Sequence, residues 1–421
     1  MKPAIAIDPP AWMTAPETKA VLDALTAEGA TVRFVGGCVR DALLERDVKD
    51  VDIATSDAPE GTISLLEAAG VKAIPTGIDH GTITAVTDSR HFEITTLRRD
   101  VETDGRWAVV EYTDDWEADA ARRDFTINAL YADPDGTVYD PAEGLSDLKA
   151  GRLRFVGEPA QRIEEDALRI LRFFRFFAYY GRSQPDTASL TACEAMADQV
   201  ESLSAERVAH EILRLLAAPD PLGALSMMGA AGVLQRVLPE ATRLEPLQML
   251  REIESSADLA PDALLRMAAM VSDDEKAAKA AAMSIADRLR LSNVDRRRLD
   301  RLLAPPVMVT PEMSTQDMHV ALYGLGRTAF ADLVWLTWSR LGVAVSFMAH
   351  IEMAATWDIP RFPLGGDDVK DLGVSQGPEI GDLLQEVEAW WIAGDFSADR
   401  RACLRKLRDL ERKAAGTSPP D

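Results

Sequence analysis

Three cysteines in 421 residues, Cys38, Cys193 and Cys403, are too few and too scattered for a disulfide framework or a thiolate metal centre. They point instead to a reducing compartment. Histidine is equally scarce: five residues, none followed by aspartate, which leaves no sign of a His-Asp metal phosphohydrolase domain. No apolar run reaches the roughly 18 residues of a membrane span. The opening MKPAIAIDPPAWM also lacks the apolar core of a signal peptide, so the expectation is a cytoplasmic protein with no membrane partner. Positive charge is short as well, with 46 Lys and Arg against 69 Asp and Glu and a formal net charge of −23. That deficit works against non-specific nucleic-acid binding and leaves local basic clusters to meet any phosphate backbone. Two clusters qualify, Arg288 to Arg301 with Arg296-Arg297-Arg298 inside it, and Arg400 to Lys413. Each reads equally well as a solvated helix face.

Against these shortages stand 27% charged and 47% hydrophobic residues, an ordinary globular composition. The length suffices for roughly two to four domains. The stretch Phe34 to Thr55, FVGGCVRDALLERDVKDVDIAT, is the densest in phosphate chemistry. Val32 to Val35 predicts a short strand, Gly36-Gly37 a tight turn, and Cys38 to Leu44 a helix opening from it. A glycine turn at a helix start leaves backbone N–H groups free to face a phosphate. Arg40, one turn in, is placed to add a charge-assisted fork to the same anion. Val51 to Ala54 predicts a second strand, and Asp50 and Asp52, two residues apart, would share one face of it. Paired carboxylates repel unless a cation neutralises them. Such oxygen pairs suit Mg²⁺, which takes one or two carboxylates and completes its shell on substrate phosphates. A DxD at a strand edge also occurs as a solvated corner, and these residues alone leave both readings open.

Further along, a helix is expected over Glu17 to Glu28 and another from Asp57 to near Gly70. Strands follow at Val71 to Ile74, Gly81 to Val86 and His91 to Leu97. This order predicts a small α+β domain with a mainly antiparallel sheet. Arg99 to Asp115 is polar and turn-rich, with Asp104-Gly105 at its tip. Arg122 to Leu130, RRDFTINAL, is expected on a helix, with Asp124 and Asn128 on a shared face. Asp166, Arg169 and Arg172 recur every three residues and predict one helical face. That face can read a base edge, or can carry i,i+3 salt bridges on an exposed helix. Phe173, Phe174, Phe176 and Phe177 behind it read as core. Beyond Pro219 the spacing is helical, and a late glycine turn, Gly377 to Gly381, can serve as a helix connection or meet a phosphate.

Taken together, the Gly36-Gly37…Arg40-Asp41…Asp50-x-Asp52 pieces resemble the GG-x-V-R-D…D-x-D signature of polymerase-beta-like nucleotidyltransferases. More narrowly, the run of motifs from residue 32 to about 245 is similar to class II tRNA nucleotidyltransferases, the CCA-adding enzymes, and to their relatives the bacterial poly(A) polymerases. The carriers are Thr76 to Thr82, Phe92 to Arg98, Arg122 to Leu130, Asp140 to Leu148, Arg162 to Arg172 and Ser204 to Glu211. The resemblance implies an α+β polymerase-beta-like head over residues 1–150, a helical neck over 151–215 with the base-reading motif, and a helical body and tail over 216–421 that bind tRNA. It implies two Mg²⁺ ions on Asp50 and Asp52, with Glu93 as a third carboxylate. By its residues alone, Glu93 is as readily a cross-strand partner for a basic group. It implies triphosphate held near Gly36, Gly37, Arg40 and Arg123, ribose by Asp124 with Asn128, and the base by Asp166 and Arg169 beside Arg172. Arg106 would belong to a flexible loop between motifs. Gly144 would bend a hinge that Asp147 caps. The implied activity is template-independent addition of C, C and A to tRNA from CTP and ATP. A poly(A) polymerase, a CC-only or A-only enzyme and a non-catalytic RNA-binding protein remain alternatives, as does Mn²⁺ for Mg²⁺.

Overall fold

The computed structural model describes residues 1–88, 90–104, 107–182, 184–342, 345–374 and 377–414. The chain forms two compact units. The first takes Met1–Thr242 with the short segments Pro261–Ala263 and Asp287–Leu291, and the second takes Arg243–Ala260, Leu264–Ala286 and the chain from Ser292 onward. Among the described residues no helix is long and apolar enough to cross a membrane.

The strands in chain order are β1 (Pro3–Ala6), β2 (Val32–Val35), β3 (Val51–Thr55), β4 (Lys72–Gly77), β5 (Thr82–Val86), β6 (His91–Thr96), β7 (Arg98–Asp104), β8 (Trp107–Tyr112), β9 (Tyr131–Ala132) and β10 (Thr137–Tyr139). Eight of them build one sheet in the order β1-β10-β9-β2-β3-β6-β5-β4. The β3–β6 pairing is parallel, and its neighbours in the sheet pair antiparallel. Period-2 alternation explains the register: Val51, Ile53, Phe92 and Ile94 are buried at 0–1% exposure, and Asp52 and Glu93 take the intervening positions. β7 and β8 form a separate two-stranded hairpin, so the polar stretch after Arg98 is a β-ribbon. Its tip, with Arg106, lies outside the described residues.

One expected helix is absent and another starts later than expected, each for a tertiary reason. RRDFTINAL is not helical at Asp124: the helix Trp116–Ala121 has already ended, and only Thr126–Asn128 forms a 3₁₀ turn. Phe125 is extended (φ −122°, ψ 149°), bridges Phe155 as a strand would, and packs at a tilt against the Phe155 and Phe176 rings, with centroids 5.0 and 5.2 Å away. Asp124 stabilises that path by accepting the Phe125 N–H at 2.8 Å. Asp166 likewise leaves the helical face expected for it. It closes the helix Pro159–Glu165 in an extended conformation (φ −157°, ψ 106°) before the helix Leu168–Tyr180 begins. Its Oδ1 accepts the Leu168 N–H at 3.1 Å, so the carboxylate serves the start of the next helix. Arg169 and Arg172 alone share that helix.

Gly144 is required by contact rather than by bending: a Cβ there would lie 2.2 Å from the Thr126 carbonyl oxygen. Asp147 does not act as an N-cap. It is fully buried and gathers Thr126 Oγ1, Arg152 and Arg154 at 2.6–2.9 Å, tying the helix Gly144–Ala150 to the Thr126 turn. The regular elements of the second unit are helices among the described residues. It holds a buried Arg266–Glu254 ion pair (2.6 Å). A further apolar core, built around Val369, Val387, Trp391, Cys403 and Leu407, joins Pro378–Ala393 to Arg400–Ala414.

Candidate active site

A cavity of about 600 Å³ opens in the first unit beside β3, β6 and the glycine turn. Gly36 makes the turn with φ +72°, in the region that L-residues rarely adopt, and its N–H is bonded to the Leu130 carbonyl at 2.9 Å. The next residue starts the helix Gly37–Leu43, which carries no acid in its first turn. Both glycines line the cavity with Asp50, Asp52, Glu93, Arg123, Asp124, Asn128, Arg172 and Arg40.

One wall is acidic. Parallel pairing puts Glu93 in register with Asp52, so both side chains leave the same face of the sheet. Asp50 sits exposed just before β3. Burial, then the Glu93 charge, push the Asp52 carboxyl up to about 6, against the pull of Arg123; Asp50 adds to the rise and Arg40 opposes it. The ionised form of Asp52 is therefore under-compensated by the protein itself.

The other wall is a chain of mutually bonded polar groups. Arg40 is buried, with Nε and Nη2 on the two oxygens of Asp41 at 3.0 and 2.9 Å and Nη1 on Asn128 Oδ1 at 2.5 Å. Its guanidinium lies 4.1 Å over the Tyr180 ring. The fork expected for an anion is thus taken by Asp41, and the remaining nitrogen holds Asn128. Asn128 Nδ2 in turn donates to Asp124 Oδ1 at 3.0 Å, and Arg172 donates to Asp124 Oδ2 through Nε at 2.9 Å and Nη2 at 2.5 Å. Burial raises the Asp124 carboxyl, but Arg172 and Asn128 outweigh it and hold the group at about 2. Arg123 leans on Asp119 through Nη2 at 2.9 Å, while the Tyr131 hydroxyl donates to the same Asp119 oxygen at 2.7 Å. Burial opposes the Arg123 charge, yet Tyr131 and Asp119 hold it protonated above its ordinary range. Buried Asp119 is kept ionised by Arg123 and Arg122 despite its desolvation.

Asp166 and Arg169 do not line this cavity. Asp166 Oδ2 accepts from Arg207 Nη2 at 2.6 Å. Arg169 is engaged by Glu165 at 2.6 Å and by the carbonyls of Arg162 and Arg122 at 2.9 and 3.1 Å. Several lining residues were not singled out in sequence for the site: Arg175, Tyr179, Tyr180, Arg214 and Lys49, together with Phe176, which was read there as core. The signal for four of them was present. Arg172, Arg175, Phe176, Tyr179 and Tyr180 recur at three- and four-residue spacing along Leu168–Tyr180 and form a polar-aromatic stripe. Arg175 is fixed by Glu211 Oε2 at 2.5 Å, from the helix Ala205–Leu216.

With this geometry established, comparison with known proteins is direct. Residues 32–154 match the family described as Poly A polymerase head domain, and residues 184–244 match the probable RNA and SrmB-binding site of polymerase A. The chain is 34% identical over 388 residues to CCA tRNA nucleotidyltransferase 1, mitochondrial, of Danio rerio, spanning 89% of this chain and 86% of that protein. It is 33% identical over 407 residues to the CCA-adding enzyme of Streptococcus gordonii, spanning 93% and 97%. The fold matches the Bacillus stearothermophilus CCA-adding enzyme in complex with CTP at a TM-score of 0.74 and 24% identity, over 96% of this chain and 99% of that one. It matches the Thermotoga maritima CCA-adding enzyme complexed with tRNA at 0.62 and 17%, over 97% and 100%.

Proposed function

The chain belongs to the family of CCA-adding tRNA nucleotidyltransferases, and from that premise we propose how its residues add C, C and A to a tRNA 3′ end from CTP and ATP. The observation that carries this reading is the pairing of Asp52 with Glu93 across β3 and β6, facing a cavity whose other groups are guanidiniums, an amide and a buried carboxylate. The acidic wall fits Mg²⁺: its donors are hard oxygens, and burial with Glu93 leaves the Asp52 charge in need of a cation. Asp50 and Asp52 would hold two ions with Glu93 alongside, although among the described residues no group of three or more His, Cys, Asp or Glu side chains is gathered closely enough to hold an ion unaided. When bound, such ions neutralise charge on the attacking and leaving oxygens of an in-line displacement.

The remaining work falls to the protein. Gly36 and Gly37 let the backbone approach the triphosphate, and Arg123, locked charged by Asp119 and Tyr131, faces it. Asp124, held ionised, accepts from a ribose hydroxyl; Arg172, Asn128 and Arg40 keep it in place. The base is read by Asp166 and Arg169. Cytosine and adenine both present an amino donor beside a ring-nitrogen acceptor, which a carboxylate and a guanidinium match. Guanine and uracil reverse that pattern, and each unpaired buried group costs about 1–3 kcal/mol. Here Asp166 is bonded to Arg207 and Arg169 to Glu165. Engaging a base therefore means exchanging those bonds, which couples base choice to a rearrangement of the helices around Asp166. The matched RNA-binding segment 184–244 includes the helix carrying Arg207. We place the enzyme in the cytoplasm, supported by three free, buried cysteines.

End-sequencing of a tRNA transcript lacking CCA, after incubation with protein, Mg²⁺, CTP and ATP, tests the assignment. A product ending at CCA is expected. A stop at CC, a single A, a long A tract or an unchanged end would each identify one of the alternatives instead.

A further inference from the structure

The short run Asp119-Ala120-Ala121-Arg122-Arg123 sets two arginines three and four residues after one carboxylate, at the end of the helix Trp116–Ala121. Both guanidiniums fold back onto it. Asp119 is 1% exposed and does not line the cavity. Its two oxygens serve different arms. Oδ1 accepts from Arg122 through Nε at 2.9 Å and Nη2 at 2.6 Å, and from the Arg98 N–H at the start of β7 at 3.4 Å. Oδ2 accepts from Arg123 through Nη2 at 2.9 Å and Nε at 3.3 Å, and from the Tyr131 hydroxyl at 2.7 Å. Trp116 packs edge-on to the Tyr131 ring at 5.4 Å and limits where that hydroxyl can point.

The Oδ2 arm ends at the cavity wall, in the Arg123 guanidinium. The Oδ1 arm runs the other way. Arg122 also donates through Nε to the Arg98 carbonyl at 3.1 Å, and its own carbonyl accepts from Arg169 Nη2 at 3.1 Å. The carbonyl before it, of Ala121, accepts from Arg162 Nη1 at 2.9 Å. Carbonyls at a helix end lack partners within the helix and carry partial negative charge, which suits them to hold guanidiniums. One buried carboxylate therefore fixes a segment that presents Arg123 on one side and seats Arg169 on the other. An ionised carboxylate accepts on both oxygens, whereas an amide accepts on one and donates from the other position. Asparagine here would turn an NH₂ group toward donors, and one of the two arms would come away.

We propose that Asp119 is a positioning residue for nucleotide recognition, aligning Arg123 with the triphosphate through one oxygen and Arg169 with the base through the other, by way of the Arg122 main chain. It rests on the roles given above to Arg123 and Arg169 and adds what holds the two in one register. The test uses the full-length enzyme and a tRNA transcript lacking CCA. Inorganic tripolyphosphate, competing with CTP, reads the phosphate arm, and the CTP:UTP ratio of kcat/KM reads the base arm. Asp119→Asn should weaken tripolyphosphate inhibition roughly tenfold and lower the CTP preference by a similar factor, with the KM for tRNA unchanged. Tyr131→Phe keeps the buried ring and removes only the hydroxyl on Oδ2, so inhibition should weaken roughly threefold while base preference holds. Arg122→Gln should do the reverse. Where Asp119→Asn does not fold, these two variants decide the question. Adding Asp119→Asn to Arg123→Gln should weaken tripolyphosphate inhibition no further, a non-additivity that a merely structural role would not give. Additive losses, or a folded Asp119→Asn with wild-type inhibition and base preference, would overturn the proposal. So would Tyr131→Phe and Arg122→Gln each altering both readouts or neither. Arg123→Gln alone checks the premise: if it leaves tripolyphosphate inhibition unchanged, the triphosphate assignment fails, whereas an effect there beside silent Asp119 variants removes the positioning role alone.

Discussion

Replacing Arg172 by methionine should destabilise the first unit and empty the proposed ribose site of its order in the same step. Asp124 is 10% exposed and receives two bonds from Arg172. Burial alone would raise its carboxyl, but Arg172 leads the groups that hold it at about 2 instead of the ordinary 3.8, and that difference is worth about 2 kcal/mol. The sign follows from the direction. A depressed carboxyl contributes stability that is fully present above pH 4 and is lost as pH falls towards 2. Arg172→Met should therefore lower stability at neutral pH by about 2 kcal/mol, below the roughly 3–5 kcal/mol for breaking a fully buried pair because the guanidinium is 31% exposed. It should also flatten the acid limb of the stability–pH curve. Urea unfolding of the wild type, Arg172→Met, Asp124→Asn and the double variant closes a mutant cycle. A coupling of about 2 kcal/mol is expected, with a higher KM for CTP in both single variants. Coupling below about 0.5 kcal/mol, or an acid limb identical to that of the wild type, would refute the pairing as the source of Asp124 order.

Asp52→Asn should abolish transfer, by at least about a thousandfold in single-turnover incorporation, because several kcal/mol of charge stabilisation depend on it. The same change should raise the melting temperature of the metal-free protein: a carboxyl shifted up to about 6 by burial and Glu93 opposes folding at pH 7, by about 1–2 kcal/mol after allowing for its partial exposure. Retained turnover, or a lowered melting temperature, would remove Asp52 from the metal role. Gly144→Ala should cost about 2–3 kcal/mol in thermal unfolding, since its methyl would meet backbone oxygen at 2.2 Å; near-wild-type stability would show that the Thr126 turn yields easily. Asp166→Ala should relax discrimination against UTP and GTP by roughly tenfold or more in competition assays, and unchanged selection would assign the carboxylate to the Arg207 bond alone.

Much of the head was legible in the linear sequence because its signals are local. The Val32–Val35 strand, the glycine turn and the helix behind it lie within one residue of where period and turn chemistry put them. Binary alternation in Val51 to Thr55 and His91 to Thr96 likewise determined which side chains leave the core face. What spacing cannot carry is a bond between distant segments. Asp52 meets Glu93 only because two strands pair in parallel, and Asn128 lies 88 residues from Arg40, as Arg172 lies 48 from Asp124.

The missing helix at Arg122 to Leu130 and the helix break at Asp166 have the same origin. Arg122 to Leu130 and Asp166 to Arg172 contain residues a helix tolerates, and local propensity is weak enough for tertiary packing to override it. At Phe125 the aromatic cluster and the Phe155 bridge decide the backbone path. At Asp166, one carboxylate oxygen takes the N–H of Leu168 and the other the guanidinium of Arg207, and the helix is broken there. The sequence by itself determined the inventory of phosphate-binding and acidic groups and the strands that present them. Tertiary structure decided which groups share a cavity and which guanidiniums are already committed to a carboxylate, because each of those outcomes depends on through-space contacts that no local pattern encodes.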